Sequence, residues 1–412
     1  MNIFRSIRTI RTMKSAGALV CAAVLACTAF TACSNTSDSS SAKSSSAASS
    51  ENGKNDKTAK GEMRDISSME LCGEMQLCWN LGNTLDVCNA DRDGDGQIDE
   101  NSENVDETLW GNVMTTPEIF ETLKSQGFNA VRIPVTWRDH IDENYTIDEA
   151  WMDRVQEVVD YAYDLDMYVI INVHHDGGGD PEFGAWIRET AENDYDSWYK
   201  EYSTIWTQIC SRFENYSDKL IFESMNEVGF DDLNANKAYE LLNKMNQSFV
   251  DLVRSTGGNN PQRHLLIAGY WTDIDKTVSR SFKMPTDPQN RCIVSVHYYT
   301  PWEFCVCENQ YEWGTDAETD VMKNQINKLK TTFIDNGIPV IIGEYGTGNN
   351  EKASVIYFDE MLTKLTHDIG IPVFLWDNGA VFNRSTLQWN DPDLLTALQR
   401  AVSGEDYEVT KG

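Results

Sequence analysis

The sequence predicts a single (β/α)8 barrel, an α/β fold, on three observations. The chain has 412 residues, which is long enough for one such barrel. From about Met63 onward, eight short apolar runs alternate with amphipathic stretches, as parallel strands alternate with helices in this fold. No G-x-G-x-x-G motif follows a strand candidate, which counts against an open dinucleotide-binding sheet.

The strand and helix candidates follow one another along the chain. The strand candidates are Leu77–Leu81, Ala130–Val135, Tyr168–His174, Leu220–Asn226, His264–Ala268, Ile293–His297, Val340–Glu344 and Val373–Trp376. The stretches that predict helices are Pro117–Gln126, Ala150–Leu165, Asp196–Phe213, Ala238–Ser255, Asp320–Asn336 and Ser354–His367. Gly127 and Gly337 follow two of these stretches, where a glycine commonly ends a helix.

Residues 1–33 are typical of an export signal. The first 14 residues are basic, and Ala16–Phe30 is apolar but too short to span a bilayer comfortably. Thr31-Ala32-Cys33 resembles the end of a bacterial lipoprotein signal, which predicts lipidation at Cys33; ordinary cleavage near Ala29 or Ala32 is the alternative. We therefore expect an exported protein, either a cell-surface lipoprotein or an extracellular one.

The export signal is followed by a linker and then by the folded domain. Residues 34–60 are rich in Ser and Ala and contain no aromatic residue, so they cannot bury enough apolar surface to fold. We predict a disordered linker over 34–60 and one barrel domain over 61–412. A lipid at Cys33 would be the domain's only link to a membrane.

The charge of the chain excludes some classes of partner. The formal net charge is −31, from 34 basic and 65 acidic residues. This balance argues against nucleic acid and anionic membrane surfaces and suits a neutral substrate. Seven cysteines remain after residue 33, an odd number that does not force a disulfide framework.

Polar and aromatic side chains occur where the predicted strands end, which is where a (β/α)8 barrel carries its reactive residues. They are Asn80, Asn83, Asp86, Arg132, His174, His175, Asp176, Asn226, Glu227, His297, Tyr299, Glu344, Trp376 and Asp377. A purely structural barrel has no reason to gather so many polar groups, because each is unfavourable to bury. The set therefore predicts an active site.

Two carboxyl groups of this set, Glu227 and Glu344, fit the cleavage of a glycosidic bond. A retaining glycosidase needs a carboxylate nucleophile and a carboxylic acid that donates a proton, about 5 Å apart. The pattern alone does not say which residue takes which role. We expect Arg132 to lower the pKa of the nucleophile, and the nucleophile's charge to raise the pKa of the donor.

The remaining residues of the set are expected to serve these two or the sugar. Tyr299 is expected to donate to the nucleophile, and His297 to lie beside the donor. Asn226 is placed to bind a sugar hydroxyl, and Trp376 offers a flat apolar face to a pyranose ring. The candidate substrate-binding residues are Asn83, His175, Trp186, Trp302 and Trp376.

These residues lie in motifs that resemble glycoside hydrolase family 5. The motifs include Trp79–Asp86, Gly127–Trp137, Ile170–Asp176, Phe222–Glu227, Val296–Trp302, Ile342–Gly346 and Phe374–Asp377, in the family's order. The resemblance implies that Glu227 is the acid/base and Glu344 the nucleophile. It also implies active-site roles for Arg132, His174, Asn226, His297, Tyr299 and Trp376.

The double histidine and the Gly82–Asp86 segment look like the branch that holds bacterial endoglucanases. We therefore expect a monomeric, retaining endo-β-1,4-glucanase that acts on cellulose-type β-glucans and requires no cofactor. The alternatives are a xyloglucanase, lichenase, xylanase or mannanase of the same family, or a surface protein that binds carbohydrate without cleaving it. The presence of both Glu227 and Glu344, with Arg132 and Tyr299, speaks against the last alternative.

An acidic segment, Asp91–Asp99, resembles the first nine positions of a calcium-binding loop. Asp91, Asp93 and Asp95 occupy ligand positions, but Ser102 stands where such loops need a bidentate Glu. We interpret the segment as an acidic surface insertion, with a structural calcium site as the alternative.

Overall fold

The computed structural model describes residues 60–89, 105–177, 185–307 and 309–412. Within them, eight parallel strands close into a barrel in chain order, and the last strand pairs with the first. The strands are β1 (Leu77–Leu81), β2 (Phe128–Ile133), β3 (Tyr168–Asn172), β4 (Leu220–Glu223), β5 (Leu265–Ala268), β6 (Cys292–Tyr298), β7 (Val340–Tyr345) and β8 (Val373–Asp377). The predicted single (β/α)8 barrel is confirmed.

Helices surround the strands. They are α1 (Ser68–Glu74), α2 (Pro117–Ser125), α3 (Glu149–Tyr163), α4 (Ile187–Asn193), α5 (Tyr195–Arg212), α6 (Ala235–Ser255), α7 (Ile274–Thr277), α8 (Trp302–Cys305), α9 (Asp316–Thr332), α10 (Lys352–His367) and α11 (Pro392–Ala401). Single 3-10 turns lie at Arg138–His140, Asn260–Gln262, Tyr270–Thr272 and Ile334–Asn336, and β9 (Phe382–Asn383) pairs with β10 (Gln388–Trp389). The two predicted stop positions, Gly127 and Gly337, both have positive φ, at +99° and +74°.

The apolar core has two layers. The outer layer lies between the strands and the helices that surround them. The inner layer fills the barrel and takes side chains from all eight strands, with Leu71, Cys72 and Met75 packed against it. Because α1 directly precedes β1, this helix closes the end of the barrel where the strands begin.

Three strands end earlier than the sequence predicts. β2 ends at Ile133 rather than Val135. β3 ends at Asn172 rather than His174, and β4 ends at Glu223 rather than Asn226. Past β4, the N–H of Asn226 bonds to the carbonyl of Val173 (3.0 Å), which itself lies beyond β3. The backbone of Glu227 then enters the left-handed region, with φ 47°. The segments that follow β3 and β4 therefore stay side by side beyond the ends of the strands.

Several predictions fall on residues that the structure does not describe. They are the export signal over 1–33, the lipidated Cys33, the linker up to residue 59, and the calcium candidates Asp91, Asp93 and Asp95. These stay predictions. Among the described residues, all seven cysteines are free thiols, and no helix there is long and apolar enough to cross a membrane.

Candidate active site

An open cleft of about 840 Å³ lies where the barrel strands end. Its lining includes Glu227, Glu344 and half of the strand-end residues that the sequence nominates. Residues from five different strands or the loops after them meet here: His174 and His175, Asn226, Tyr299, Glu344 and Trp376, with Trp302 on α8. The cleft therefore collects side chains that are far apart in the sequence.

Glu344 is held from several sides. Its Oε1 accepts a hydrogen bond from Arg132 (2.7 Å), and its Oε2 accepts one from the hydroxyl of Tyr299 (3.1 Å). His297 Nδ1 lies 3.6 Å from Oε2, and the Glu344 side chain is only 7% exposed. These contacts fix the orientation of the carboxyl group before any ligand arrives.

Glu227 is held less tightly. Its Oε1 forms a 2.8 Å hydrogen bond with His297 Nδ1, and its side chain is 36% exposed. A carboxyl oxygen of Glu227 and one of Glu344 lie within 4.8 Å of each other. The two groups thus face one another across a gap that admits a single reacting centre.

The net pKa shifts of the two carboxyl groups, Glu344 and Glu227, are opposite in direction to those that the sequence analysis expects. Burial raises the pKa of Glu344, and the charges of His297 and Arg132 offset this only in part. Burial also disfavours ionised Glu227, but the hydrogen bond and charge of His297 outweigh it and lower the pKa of Glu227. Arg132 does lower the pKa of Glu344, as expected, but burial outweighs this contribution, so the net shift is upward.

His297 explains this reversal. Burial disfavours its charged form, but the charge of Glu344 and the hydrogen bond to Glu227 outweigh burial and raise the pKa of His297. The three groups titrate as a unit. A proton in the 2.8 Å hydrogen bond lies either on His297 Nδ1 or on Glu227 Oε1, so a proton is held at the donor's position in either case.

Arg132 lies beneath the cleft and is fully buried. Besides Glu344, its guanidinium donates to Asn80 (3.1 Å), to Asn226 (2.9 Å) and to Glu223 (2.6 Å). Because the side-chain oxygen of Asn226 is taken by Arg132, the amide nitrogen is the group that Asn226 offers to the cleft. Burial of Arg132 is balanced by two carboxyl groups, whose charges raise its pKa.

His174, His175 and Asp86 form a group whose potential ligand atoms all lie within 4.8 Å of one another. The hydrogen bonds of Asn172 determine which ring nitrogen of His174 carries the proton, and hence whether Nε2 can bind a metal. The side-chain oxygen of Asn172 accepts from the N–H of Val135 (3.0 Å), so its amide nitrogen is the atom 3.1 Å from His174 Nδ1. Nδ1 must then accept, which assigns the proton to Nε2. The hydrogen bonds therefore make Nε2 of His174 a donor rather than a metal ligand.

The structure places only some of the aromatic candidates in the cleft. Trp376 lies nearly parallel to His174, with ring centroids 5.8 Å apart and planes 10° apart, and Trp302 is 40% exposed at the cleft. The indole N–H of Trp186 instead bonds to Asp176 (2.9 Å), and its ring packs against the core. Among the described residues, Trp186 and Asn83 are not part of the cleft lining.

The sequence did not single out Glu223, Asn172 and Ser295, which form a buried polar layer below these residues. A charged side chain in an otherwise apolar strand is unfavourable unless it is paired, so Glu223 was the one detectable signal. Its partners depend on strand register, which the sequence does not give.

Paired carboxyl groups at the strand ends of a (β/α)8 barrel define a glycoside hydrolase. Residues 91–381 match the model of the cellulase family, glycosyl hydrolase family 5. The chain belongs to this family and acts on O-glycosyl bonds. Sequence and structure relatives lead to the same family.

Endoglucanase A of Paenibacillus barcinonensis is 35% identical over 79% of this chain and 87% of its own length. The cellulase/esterase CelE of Acetivibrio thermocellus is 37% identical over 79% of this chain, which spans only 39% of that longer protein. A solved structure, the GH5-4 broad specificity endoglucanase from Ruminococcus champanellensis with bound cellotriose, is 35% identical with a TM-score of 0.72. That alignment covers 82% of this chain and 99% of the other.

Proposed function

We propose that this protein is a retaining endo-β-1,4-glucanase that hydrolyses cellulose-type β-glucans through a covalent glycosyl-enzyme intermediate. The observation that carries the proposal is the gap between the catalytic carboxyl groups. Their nearest oxygens lie within 4.8 Å, close to the roughly 5–5.5 Å of retaining glycosidases and below the roughly 6.5–9.5 Å of inverting ones. A water molecule does not fit between the sugar and a carboxylate at this separation.

The different surroundings of the two carboxyl groups support the assignment of their roles. Glu344 is almost buried and is oriented by Arg132 and Tyr299, which suits a nucleophile that must attack along one line. Glu227 is more exposed and forms a proton-sharing hydrogen bond with His297, which suits a group that gives and takes protons.

The mechanism then follows in two steps. An oxygen of Glu344 attacks the anomeric carbon while Glu227 protonates the leaving oxygen, and the glycosidic bond breaks. Glu227, now ionised, removes a proton from an incoming water molecule, whose oxygen attacks the same carbon and releases Glu344. The indole of Trp376 and the N–H of His174 line the cleft where the sugar is held during both steps.

The stereochemistry and the two roles are tested separately. Proton NMR of the first product formed should show the β-anomer; early formation of the α-anomer would contradict retention.

Glu227→Gln and Glu344→Gln should each lower kcat/KM by at least about a thousandfold, whereas Glu121→Gln on the exposed face of α2 should not. Azide should restore Glu227→Ala with a β-glycosyl azide and Glu344→Ala with an α-glycosyl azide; the opposite pattern would exchange the roles.

Reducing-end assays define the substrate. The relatives named above are an endoglucanase, a cellulase/esterase and a broad specificity endoglucanase bound to cellotriose, and the net charge of −31 suits a neutral polymer. We expect carboxymethylcellulose and lichenan to be cleaved faster than xylan and mannan. A preference for xyloglucan, xylan or mannan over these two would replace the substrate in this proposal without changing the chemistry.

A further inference from the structure

One buried carboxyl group outside the reacting pair connects three strands beneath the cleft. Glu223 is the last residue of β4 and is fully buried. Its Oε2 accepts from Arg132 Nε (2.6 Å) and from the amide nitrogen of Asn172 (3.1 Å), and its Oε1 accepts from Ser295 Oγ (2.9 Å). A group that only accepts, and takes one bond from a guanidinium, is a carboxylate.

The first connection runs through Arg132 to Glu344. Both carboxylates bind the guanidinium of Arg132, Glu223 at Nε and Glu344 at Nη1. The side chains of Arg132 and Glu223 are 0% exposed, and that of Glu344 is 7% exposed. Charges are weakly screened in such surroundings. The positive charge that Glu344 experiences is therefore reduced by the negative charge of Glu223.

The second connection runs through Asn172 to His174. The amide nitrogen of Asn172 has two hydrogens; one bonds to Glu223 Oε2 and the other to His174 Nδ1. Glu223 thus helps to fix the side chain that keeps the proton of His174 on Nε2. Ser295, two residues before His297 on β6, anchors the other oxygen of Glu223.

We propose that Glu223 is a positioning residue that holds Arg132 against Glu344, fixes the tautomer of His174 through Asn172, and moderates the charge that Glu344 experiences. The inference rests on the proposed role of Glu344 as the nucleophile. Glu223 itself is not part of the cleft lining among the described residues, so it acts through its partners.

Glu223→Gln tests the charge while keeping the shape. The oxygen of Gln accepts from Arg132 and Asn172, and its amide nitrogen donates to Ser295 Oγ, whose hydroxyl rotates to accept. Only the negative charge is lost, so Arg132 attracts Glu344 without competition and favours its ionised form. In a plot of kcat/KM against pH, the acidic limb should move to a lower pH by about 1 unit. kcat should fall about tenfold because a less basic carboxylate is a weaker nucleophile.

The other charges around Glu344 stay in place in this variant. The titratable groups closest to Glu344 are Arg132 on β2, Glu227 after β4, and His297 and Tyr299 on and after β6. His174, His175, Lys352, Asp359 and Asp391 also line the cleft, and buried Asp86 lies close to the two histidines. Ser295→Ala removes a neutral hydrogen bond to the same carboxylate and should leave the acidic limb where it is. Glu121→Gln, the same substitution at the surface, should change neither the limb nor kcat.

The outcomes separate this inference from the proposed function. Loss of activity in Glu344→Gln, with an unmoved acidic limb in Glu223→Gln, would overturn the inference alone. Full activity in Glu344→Gln would overturn the proposed function. If Glu223→Gln has no folded fraction by circular dichroism, Glu223→Asp replaces it. That variant keeps the charge but shortens the reach, so kcat should fall with the limb unmoved, and wild-type kcat would overturn the inference.

Discussion

At the scale of single residues, Gly82 leaves the space that Trp376 needs. A Cβ at Gly82 would lie 2.7 Å from Cζ2 and 2.8 Å from Cε2 of Trp376, and 3.0 Å from the carbonyl oxygen of Asp377. Real side chains do not approach this closely. The glycine follows β1, which pairs with β8, so the barrel itself brings these residues together.

Gly82→Ala should therefore push the indole of Trp376 away from its parallel position beside His174. We expect kcat/KM on β-glucan to fall about 10- to 100-fold, because a displacement near 1 Å at a reacting centre has effects of this size. Gly73→Ala is the matched control, since a Cβ there meets no atom within 4 Å. A variant that keeps wild-type kcat/KM would contradict this account, and the melting temperature of both variants separates misplacement from unfolding.

The two carboxyl groups and the residues in contact with them could be predicted, whereas the buried polar layer below them could not. Strand ends nominated Arg132, Glu227 and Glu344 because a barrel exposes its strand ends to one cleft. Glu223 and Asn172 are the last residues of β4 and β3, but the sequence predicts that both strands continue to Asn226 and His174. Their roles also depend on which atoms face each other across β2, β3 and β4. That register is a property of the closed barrel rather than of any one segment.

At the scale of elements, predicted strand and helix positions agree with the structure, but their ends differ by a few residues. β4 is the clearest case, because its apolar run continues to Met225 while its ladder stops at Glu223. Hydrophobic pattern reports burial, and the residues after β4 stay buried in the loop. The positive φ of Glu227 depends on contacts that the pattern does not contain.

α10 carries an acidic residue on its buried face. Asp359 is almost fully buried, and its Oδ1 has no hydrogen-bond partner among the described residues. Burial raises its pKa to about 8. Because the folded-state pKa lies above the ordinary value of 3.8, Asp359 binds its proton more tightly in the folded chain. Protonated Asp359 therefore contributes to the stability of the folded chain at low pH, and this contribution is lost as the pH rises from about 4 to about 8.

Asp359→Asn should remove this loss, because an amide does not ionise. We expect the variant to melt several degrees above the wild type at pH 8 and close to it at pH 4, since each pKa unit corresponds to about 1.4 kcal/mol. Asp320→Asn on α9, where the side chain is 69% exposed, should show no such dependence. The melting temperatures are measured by circular dichroism. A difference between wild type and Asp359→Asn that is the same at pH 4 and pH 8 would refute the assignment.

At the scale of the whole molecule, the barrel has a reactive end and a closed end. α1 closes the second with Leu71, Cys72 and Met75, and it begins with Ser67 and Glu70 bonded to each other's backbone. Just before it, Arg64 bonds to Asp218 (2.8 Å) and to Glu74 and Tyr168. The sequence motifs cluster at the reactive end, so sequence reasoning did not find this helix.

Leu71→Ala tests whether the two ends are energetically separate. Leu71 is 0% exposed, so the substitution should lower the free energy of unfolding by about 2–5 kcal/mol through lost apolar burial and a residual cavity. kcat/KM and its pH profile should remain at wild-type values well below the melting temperature, because the cleft lies at the opposite ends of the strands. Val321→Ala, at a side chain 44% exposed on α9, serves as the control and should alter neither. A fall in kcat/KM for folded Leu71→Ala would show instead that packing at the closed end of the barrel helps to position Glu227 and Glu344.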